Sequence, residues 1–93
     1  MIVTVYRPDA EPTEVIVSDA EHAQSQREQL QKLVLGDLEF VHTQLLDMRK
    51  QVAIVAQGGR IRDFKPNFKA TNAIGYAAVL FGTVVVIDMR GLA

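Results

Sequence analysis

Hydrophobic residues are concentrated in five short stretches of the chain, most of them rich in β-branched residues, and polar segments separate these stretches. This pattern predicts five β-strands. The stretches are Ile2–Tyr6, Glu14–Val17, Leu38–Thr43, Gln51–Ala56 and Thr83–Asp88. Because Val84–Ile87 contains no polar residue, both faces of the last strand should be covered. That is typical of a central strand, or of an edge strand that a partner chain buries.

The central stretch Gln51–Phe64 (QVAIVAQGGRIRDF) predicts a β-hairpin. Gly58-Gly59 separates an apolar segment from a basic one, and a two-glycine loop favours a type I′ turn because glycine adopts positive φ without steric cost. In the second arm, Arg60 and Arg62 would point to the same face. Lys65-Pro66-Asn67 is a turn signal that ends this arm. The expected product is a hairpin with an apolar first arm and a basic second arm.

Two segments have the composition and spacing of helices. Ser18-Asp19-Ala20-Glu21 matches a capping box, and the residues that follow are good helix formers. The main helix is therefore predicted at about residues 20–35, with its polar N-terminal half in solvent and Gly36 ending it in a left-handed conformation. A short second helix is predicted at about residues 72–80, with Thr71 as its N-cap.

These elements predict an α+β fold: an antiparallel sheet of five to six strands, with one main helix (about residues 20–35) on one face and a short second helix (about 72–80). At 93 residues, we expect a single domain spanning residues 1–93. The segment Gln44–Lys50 fits either an extension of the third strand or a helical turn. Residues 70–87 form a run of 18 uncharged residues, close to the length that spans a bilayer. The polar residues and glycines within that run favour a helix followed by a strand, so we expect no membrane insertion.

The net charge of −1 conceals an asymmetry between the two halves of the chain. Residues 1–47 carry nine acidic and three basic residues, whereas residues 48–93 carry seven basic and two acidic residues. Such a split either steers an anionic ligand to one face or is neutralised within the fold or across a dimer. The absence of cysteine excludes disulfides and thiolate metal sites and fits a cytoplasmic location. Because so short a chain buries a modest core, we expect a homo-oligomer.

Several short motifs follow one another along the chain: Val5-Tyr6-Arg7-Pro8, Leu30–Gly36, Leu38–Val41, the Gly58-Gly59 hairpin, Pro66-Asn67 and Gly82–Val86. Their order resembles the domain of unknown function 3846, a family of small proteins of bacteriophages, plasmids and their hosts. Gln44–Lys50 departs from the family pattern as an apparent insertion, and Ala73–Phe81 is apolar where family members often carry a polar linker. The family has no assigned activity, so the resemblance transfers no catalytic residue. It implies a phage or mobile-element context, in which small accessory proteins bind host machinery.

Residue types that carry catalysis or bind metals are scarce. The only histidines are His22, expected in solvent, and His42, expected to be partly buried and hydrogen-bonded on a strand face. Two histidines without a third ligand do not make a zinc site, and Ser18 and Ser25 lack a base partner. Gly58-Gly59 lacks the further glycines and the Lys-Ser/Thr pair of a P-loop. We therefore expect no enzymatic activity, no cofactor and no metal.

A cluster of basic and aromatic residues in and after the central hairpin is the candidate binding site. Its members are Arg60, Arg62, Lys65 and Lys69, together with Phe64 and Phe68. Guanidinium groups match the geometry of phosphates and carboxylates, and aromatic rings offer stacking surfaces to a base or nucleotide. The alternative is a solvated edge strand that positive charge guards against aggregation.

The functional hypothesis is a non-catalytic phage or mobile-element accessory protein. It would bind a host protein, for example a defence component that it inhibits, or an anionic ligand such as a nucleotide, through the basic hairpin. Two alternatives stay open. One is a single-stranded nucleic-acid-binding module, and the other is a self-assembling structural protein that buries Val84–Ile87 or Ile74–Phe81 between chains. An isoelectric point of about 6.1 disfavours a dedicated binder of duplex DNA.

Overall fold

The computed structural model describes all residues from 1 to 93. Its strands are β1 (Ile2–Tyr6), β2 (Thr13–Ile16), β3 (Leu38–Val41), β4 (Gln51–Ala56) and β5 (Val84–Asp88). Its helices are α1 (Ala23–Val34), α2 (Gln44–Met48) and α3 (Phe68–Ile74), and two 3₁₀ turns span Ala20–His22 and Met89–Gly91.

The strands form one antiparallel sheet in the order β2-β1-β5-β4-β3. β5 is therefore central, and its residues Val84–Ile87 are all buried because other elements cover both faces of the sheet. The predicted α+β fold with a five-strand antiparallel sheet is confirmed. For the last strand, the central position is also confirmed, so no partner chain is needed to cover it.

The helix α1 covers one face of the sheet. Its residues Leu30 and Val34 pack in one hydrophobic cluster with Ile54 of β4 and with residues of β1 and β5. The helix is preceded by a 3₁₀ turn, which Asp19 caps by accepting a hydrogen bond of 3.1 Å from the backbone amide two residues later. The main helix predicted at about residues 20–35 is thus confirmed. The expectation that its N-terminal half lies in solvent is wrong at Gln26, whose exposed fraction is 1%.

The helices α2 and α3 cover the opposite face of the sheet, where Leu46 and Ile74 pack in a second hydrophobic cluster together with Leu80. The segment 44–50, for which strand and helix both fitted the sequence, is helical over Gln44–Met48. Thr43 explains this outcome, because its hydroxyl accepts a hydrogen bond from the Leu46 amide at 3.1 Å and donates to the Ile74 carbonyl at 2.6 Å. One side chain therefore both caps α2 and joins it to the end of α3.

The short second helix begins and ends earlier than the predicted 72–80. The N-cap is Asn67, whose side-chain oxygen accepts a hydrogen bond from the Ala70 amide at 3.1 Å. Thr71, the expected cap, lies inside the helix, and its hydroxyl donates to the Asn67 carbonyl at 2.7 Å. Gly75 ends the helix with φ of 69°, a left-handed conformation that glycine adopts without steric cost. The helix therefore begins about one turn before the predicted start, because Asn67 rather than Thr71 is its N-cap.

The uncharged run 70–87 is divided between α3, an irregular loop and β5. No helix of the chain combines the length and the apolar character that crossing a membrane requires.

The prediction of a second strand in the hairpin over Gln51–Phe64 is wrong. β4 forms the first arm, but Gln57–Asp63 is a compact turn rather than a strand. Because β4 has β3 on one side and β5 on the other, it has no free side on which another strand could pair. Gly58 has a φ of 67° whereas Gly59 does not have a positive φ, so the two-glycine type I′ turn is absent.

The residue that ends α1 in a left-handed conformation is not the expected one. Leu35 has a φ of 65°, and its amide and the Gly36 amide donate to the Gln31 carbonyl at 2.9 and 3.1 Å. Gly36, the expected left-handed residue, does not have a positive φ. A leucine in this conformation is strained, because its Cβ approaches the following carbonyl oxygen. The Leu35 side chain is also 62% exposed, so little burial offsets that strain.

Leu35→Gly is therefore expected to raise the free energy of unfolding by about 1 kcal/mol. Glycine removes the steric strain, and the lost side chain contributes little burial. Urea denaturation monitored by circular dichroism measures the change. As a control, Leu35→Ala keeps the strain and should change the stability by less than about 0.5 kcal/mol. A Leu35→Gly variant that is less stable than the wild type would show that the leucine side chain has a stabilising contact.

Candidate functional site

The segment Gln57–Phe64, which we call the arginine turn, leaves the sheet at the end of β4 and exposes four consecutive side chains, those of residues 60–63. Arg60, Ile61 and Arg62 are all exposed, and the exposed fraction of Ile61 is 89%, the highest among the large hydrophobic residues. Backbone hydrogen bonds within the turn, two of them 3.0 Å long, hold it in shape. The turn thus presents one apolar side chain flanked in sequence by two arginines.

The two arginines differ in how they are held. The guanidinium carbon of Arg62 lies 4.6 Å from the centre of the Phe64 ring, in a cation–π arrangement. Its Nη1 atom lies against Gly36, where a Cβ atom would collide with it. Arg60 has no such contact, and neither guanidinium has a carboxylate oxygen within 4.0 Å. Both positive charges are therefore unpaired at the surface.

The two lysines of the predicted cluster are paired with carboxylates. Lys65 Nζ lies 2.8 Å from Asp9 Oδ2, and Lys69 Nζ lies 2.7 Å from Glu11 Oε1. The hydrogen bond that Lys65 donates to the Asp9 carboxylate raises the pKa of Lys65 above its usual value. Both acids belong to the connection between β1 and β2, so here the acidic half of the chain meets the basic half within one molecule. The predicted cluster therefore divides into two unpaired arginines and two paired lysines.

The aromatic residues of the predicted cluster are also placed differently from one another. Phe64 is partly buried below Arg62, whereas Phe68, the first residue of α3, is 61% exposed. Tyr76 is partly buried and lies near Arg60 on the wall of a cavity. Arg62 thus stacks on Phe64, whereas Arg60 and Tyr76 line the wall of the same cavity.

This cavity, of about 340 Å³, lies beside the arginine turn. Arg60 and Ile61 line it from the turn, Glu39 from β3 and Tyr76 from the loop after α3. The cavity thus carries one positive and one negative side chain, which do not form an ion pair with each other. Gly59 lets the arginine turn lie close to Phe81, because a Cβ atom at position 59 would be only 3.1 Å from the Phe81 carbonyl oxygen. Sequence reasoning missed Ile61 and Glu39 as site residues; the isolated isoleucine in Arg-Ile-Arg was the available signal.

Elsewhere, both histidines lie near a surface carboxylate, whereas Arg27, Lys32, Arg49 and Lys50 have no carboxylate oxygen within 4.0 Å. His22 lies 3.2 Å from Asp19, as expected for a histidine in solvent. His42 was expected to be partly buried but is 58% exposed, because it follows the end of β3, and its nearest carboxylate is Asp47 at 3.7 Å. No group of three or more His, Asp or Glu residues is close enough to hold a metal ion.

One surface carboxyl group has a strongly shifted pKa. Hydrogen bonds from the Arg90 side chain, at 2.8 and 3.1 Å, and from the Arg90 amide lower the pKa of Asp88 to about 2. This pair closes the end of β5 as an N-cap of the last 3₁₀ turn. Its partners are fully accounted for within the chain, so it is a structural pair.

Comparisons of the chain with protein-family models, with curated proteins and with solved structures give no match. Function is therefore inferred from the contacts, exposure and charge of the chain itself.

Proposed function

We propose that the protein is a non-catalytic binding module that engages an acidic surface of a partner protein through the arginine turn. The observation that carries the proposal is the exposure of Ile61 next to two arginines that lack carboxylate partners. The neighbouring Lys65 and Lys69 show the contrast, because each already has a carboxylate partner.

The chemistry of the turn suits a protein partner. Arginine is enriched at protein interfaces, where its planar fork binds carboxylates with two parallel hydrogen bonds. Ile61 is 89% exposed, so its complete burial by a partner would contribute about 2 kcal/mol to the free energy of binding. Asp63 lies in the same turn and offsets one of the two positive charges. The attraction is therefore local and directional rather than a broad positive field.

A host protein is proposed as the partner only because the order of short sequence motifs resembles the domain of unknown function 3846, although no family model matches the chain. In this setting the protein would be an accessory factor of a phage or mobile element. A defence component with an acidic surface fits the same chemistry, and binding would then inhibit it.

A second candidate function, binding of an anionic small molecule such as a nucleotide, is favoured by the cavity of about 340 Å³ beside the turn. Arg60 would contact a phosphate group and Tyr76 would offer a surface to a base. Glu39 opposes this use, because it places a negative charge in the same cavity.

The test is selection of a randomised peptide library, displayed on phage, on immobilised protein. The wild type is expected to enrich peptides in which acidic residues accompany apolar ones. Arg60→Ala/Arg62→Ala and Ile61→Ser should each weaken binding of the enriched peptides roughly tenfold or more. The matched control is Arg27→Ala/Arg49→Ala, which removes the same charge at exposed positions elsewhere and should bind like the wild type.

Equal binding by the turn variants and the control would refute the arginine turn as the site, and enrichment of basic peptides would refute the acidic partner. Calorimetric titration with ATP and with an oligothymidylate examines the other two classes of ligand. If the wild type binds ATP and the single variant Arg60→Ala does not, nucleotide binding in the cavity would be favoured. Oligothymidylate binding that weakens steeply with salt would favour the nucleic-acid module.

A further inference from the structure

β3 is an open edge of the sheet, and its backbone has unpaired groups. The Gln57 amide donates to the Asp37 carbonyl at 2.9 Å, and this bond determines which residues of β3 hydrogen-bond to β4. In antiparallel pairing, alternate residues bond to the neighbouring strand, so the N–H and C=O groups of Leu38 and Phe40 point away from β4. The Gln57 side chain donates to the Leu38 carbonyl at 3.2 Å. Both backbone groups of Phe40 are left for another chain to bond.

The Phe40 side chain forms an apolar projection between two depressions on the α1 side of this edge. It is 48% exposed and lines both a cavity of about 270 Å³, against α1, and one of about 220 Å³, against Met89 and Val52. Leu92 lines both cavities as well, and Met89 is 40% exposed. A projection and a depression on one surface are what a self-complementary, twofold interface requires.

We propose that the chain forms a twofold-symmetric dimer in which β3 pairs antiparallel with β3 of a second copy, centred on Phe40. The two Phe40 residues then exchange backbone hydrogen bonds, and Leu38 pairs with His42 of the second copy. Glu39 lies opposite Val41 of the second copy, so the two glutamates do not face each other. Because each chain has one such edge, the pairing closes as a dimer and joins the two sheets. This interface adjoins the arginine turn through Gln57 and Glu39, but the proposal does not depend on the function of the turn.

The other surfaces offered for self-assembly are less suited to it. Val84–Ile87, one surface proposed from the sequence as an interface, is buried within the single chain. In the other, Ile74–Phe81, Ile74 and Leu80 are buried in the core, and the exposed residues Ala77, Ala78 and Val79 belong to an irregular loop without a free strand edge. The opposite sheet edge, β2, follows Pro12 and carries Glu14, and both a proline and a charge guard an edge against pairing. β3 also carries a charged residue, Glu39, but no proline precedes it, and it is the edge that presents an exposed aromatic residue.

Sedimentation velocity from micromolar to millimolar concentration tests the proposal. The wild type is expected to shift from the mass of one chain to twice that mass. Phe40→Glu should stay monomeric, because it places two like charges opposite each other at the twofold axis. The matched control is Ile16→Glu on the β2 edge, where Ile16 is 79% exposed, and this variant should dimerise like the wild type.

Amide hydrogen exchange identifies the edge that is used and does not depend on a variant. The Phe40 amide should exchange fast in dilute protein and become protected as the dimer forms, whereas the Glu39 amide, bonded to β4, should be protected throughout. A chain that is monomeric at every concentration overturns the proposal. A dimer that Ile16→Glu dissociates, or in which the Phe40 amide keeps exchanging fast, overturns it as well.

Discussion

Asn67→Ala is expected to lower the free energy of unfolding by about 4 kcal/mol, a large part of the total stability of a domain of this size. The Asn67 side chain is completely buried, and its amide nitrogen donates to the carbonyls of Tyr6 and Gly82, both at 2.8 Å. Its oxygen caps α3 at the Ala70 amide. Alanine leaves two carbonyls without this donor, at about 1–3 kcal/mol for each, and removes a cap worth about 1 kcal/mol.

The effect depends on position rather than on the residue type. Asn72 lies in the same helix but is exposed, so Asn72→Ala should change the stability by less than about 0.5 kcal/mol. Asn67→Asp separates the two roles, because an aspartate still caps the helix but cannot donate to the two carbonyls. Guanidinium denaturation of the three variants provides the measurement. A loss below about 1 kcal/mol for Asn67→Ala would mean that water replaces the side chain at both carbonyls.

Asn67 also shows where the sequence is informative and where it is not. Pro66-Asn67 has the composition of a turn, and local composition cannot reveal that the asparagine side chain reaches β1 and the loop before β5. The strands and α1 were predictable because their apolar spacing reports the face that they bury. The predicted bounds of the helix after Asn67 were wrong for the same reason. Tertiary contacts hold Asn67 in the position from which it caps the helix, and the sequence does not show those contacts.

The arginine turn illustrates the same limit for the candidate site. Two glycines between an apolar and a basic segment favour a hairpin locally, but β4 is flanked on both sides by strands that are distant in sequence. Which strands pair is a non-local choice, so the second arm could not be excluded from residues 51–64 alone. The four basic residues of the predicted cluster are all exposed, and the pairing of Lys65 and Lys69 depends on where the β1–β2 connection lies.

Gln26→Leu is expected to lower the free energy of unfolding by about 3 kcal/mol, although leucine has a similar volume. Gln26 is 1% exposed, and its amide nitrogen donates to the carbonyls of Ser18 at 3.0 Å and Gly91 at 2.6 Å. Its oxygen accepts a hydrogen bond from the Ala93 amide at 2.9 Å. One side chain thus binds the segment before α1 to the segment after β5, and leucine satisfies none of these groups.

This cost can be separated from a general effect of changing α1. Gln24 is exposed in the same helix and bonds only Glu28, at 2.9 Å, so Gln24→Leu should cost less than about 0.5 kcal/mol. In Gln26→Leu the Ala93 amide should also exchange quickly with solvent, because its acceptor is gone. Denaturant titration gives the free energy, and amide exchange followed by NMR gives the local effect. If the Ala93 amide stayed protected and the stability were unchanged, the contacts of residues 91–93 with α1 would have to be held by Leu92 and the neighbouring apolar residues instead.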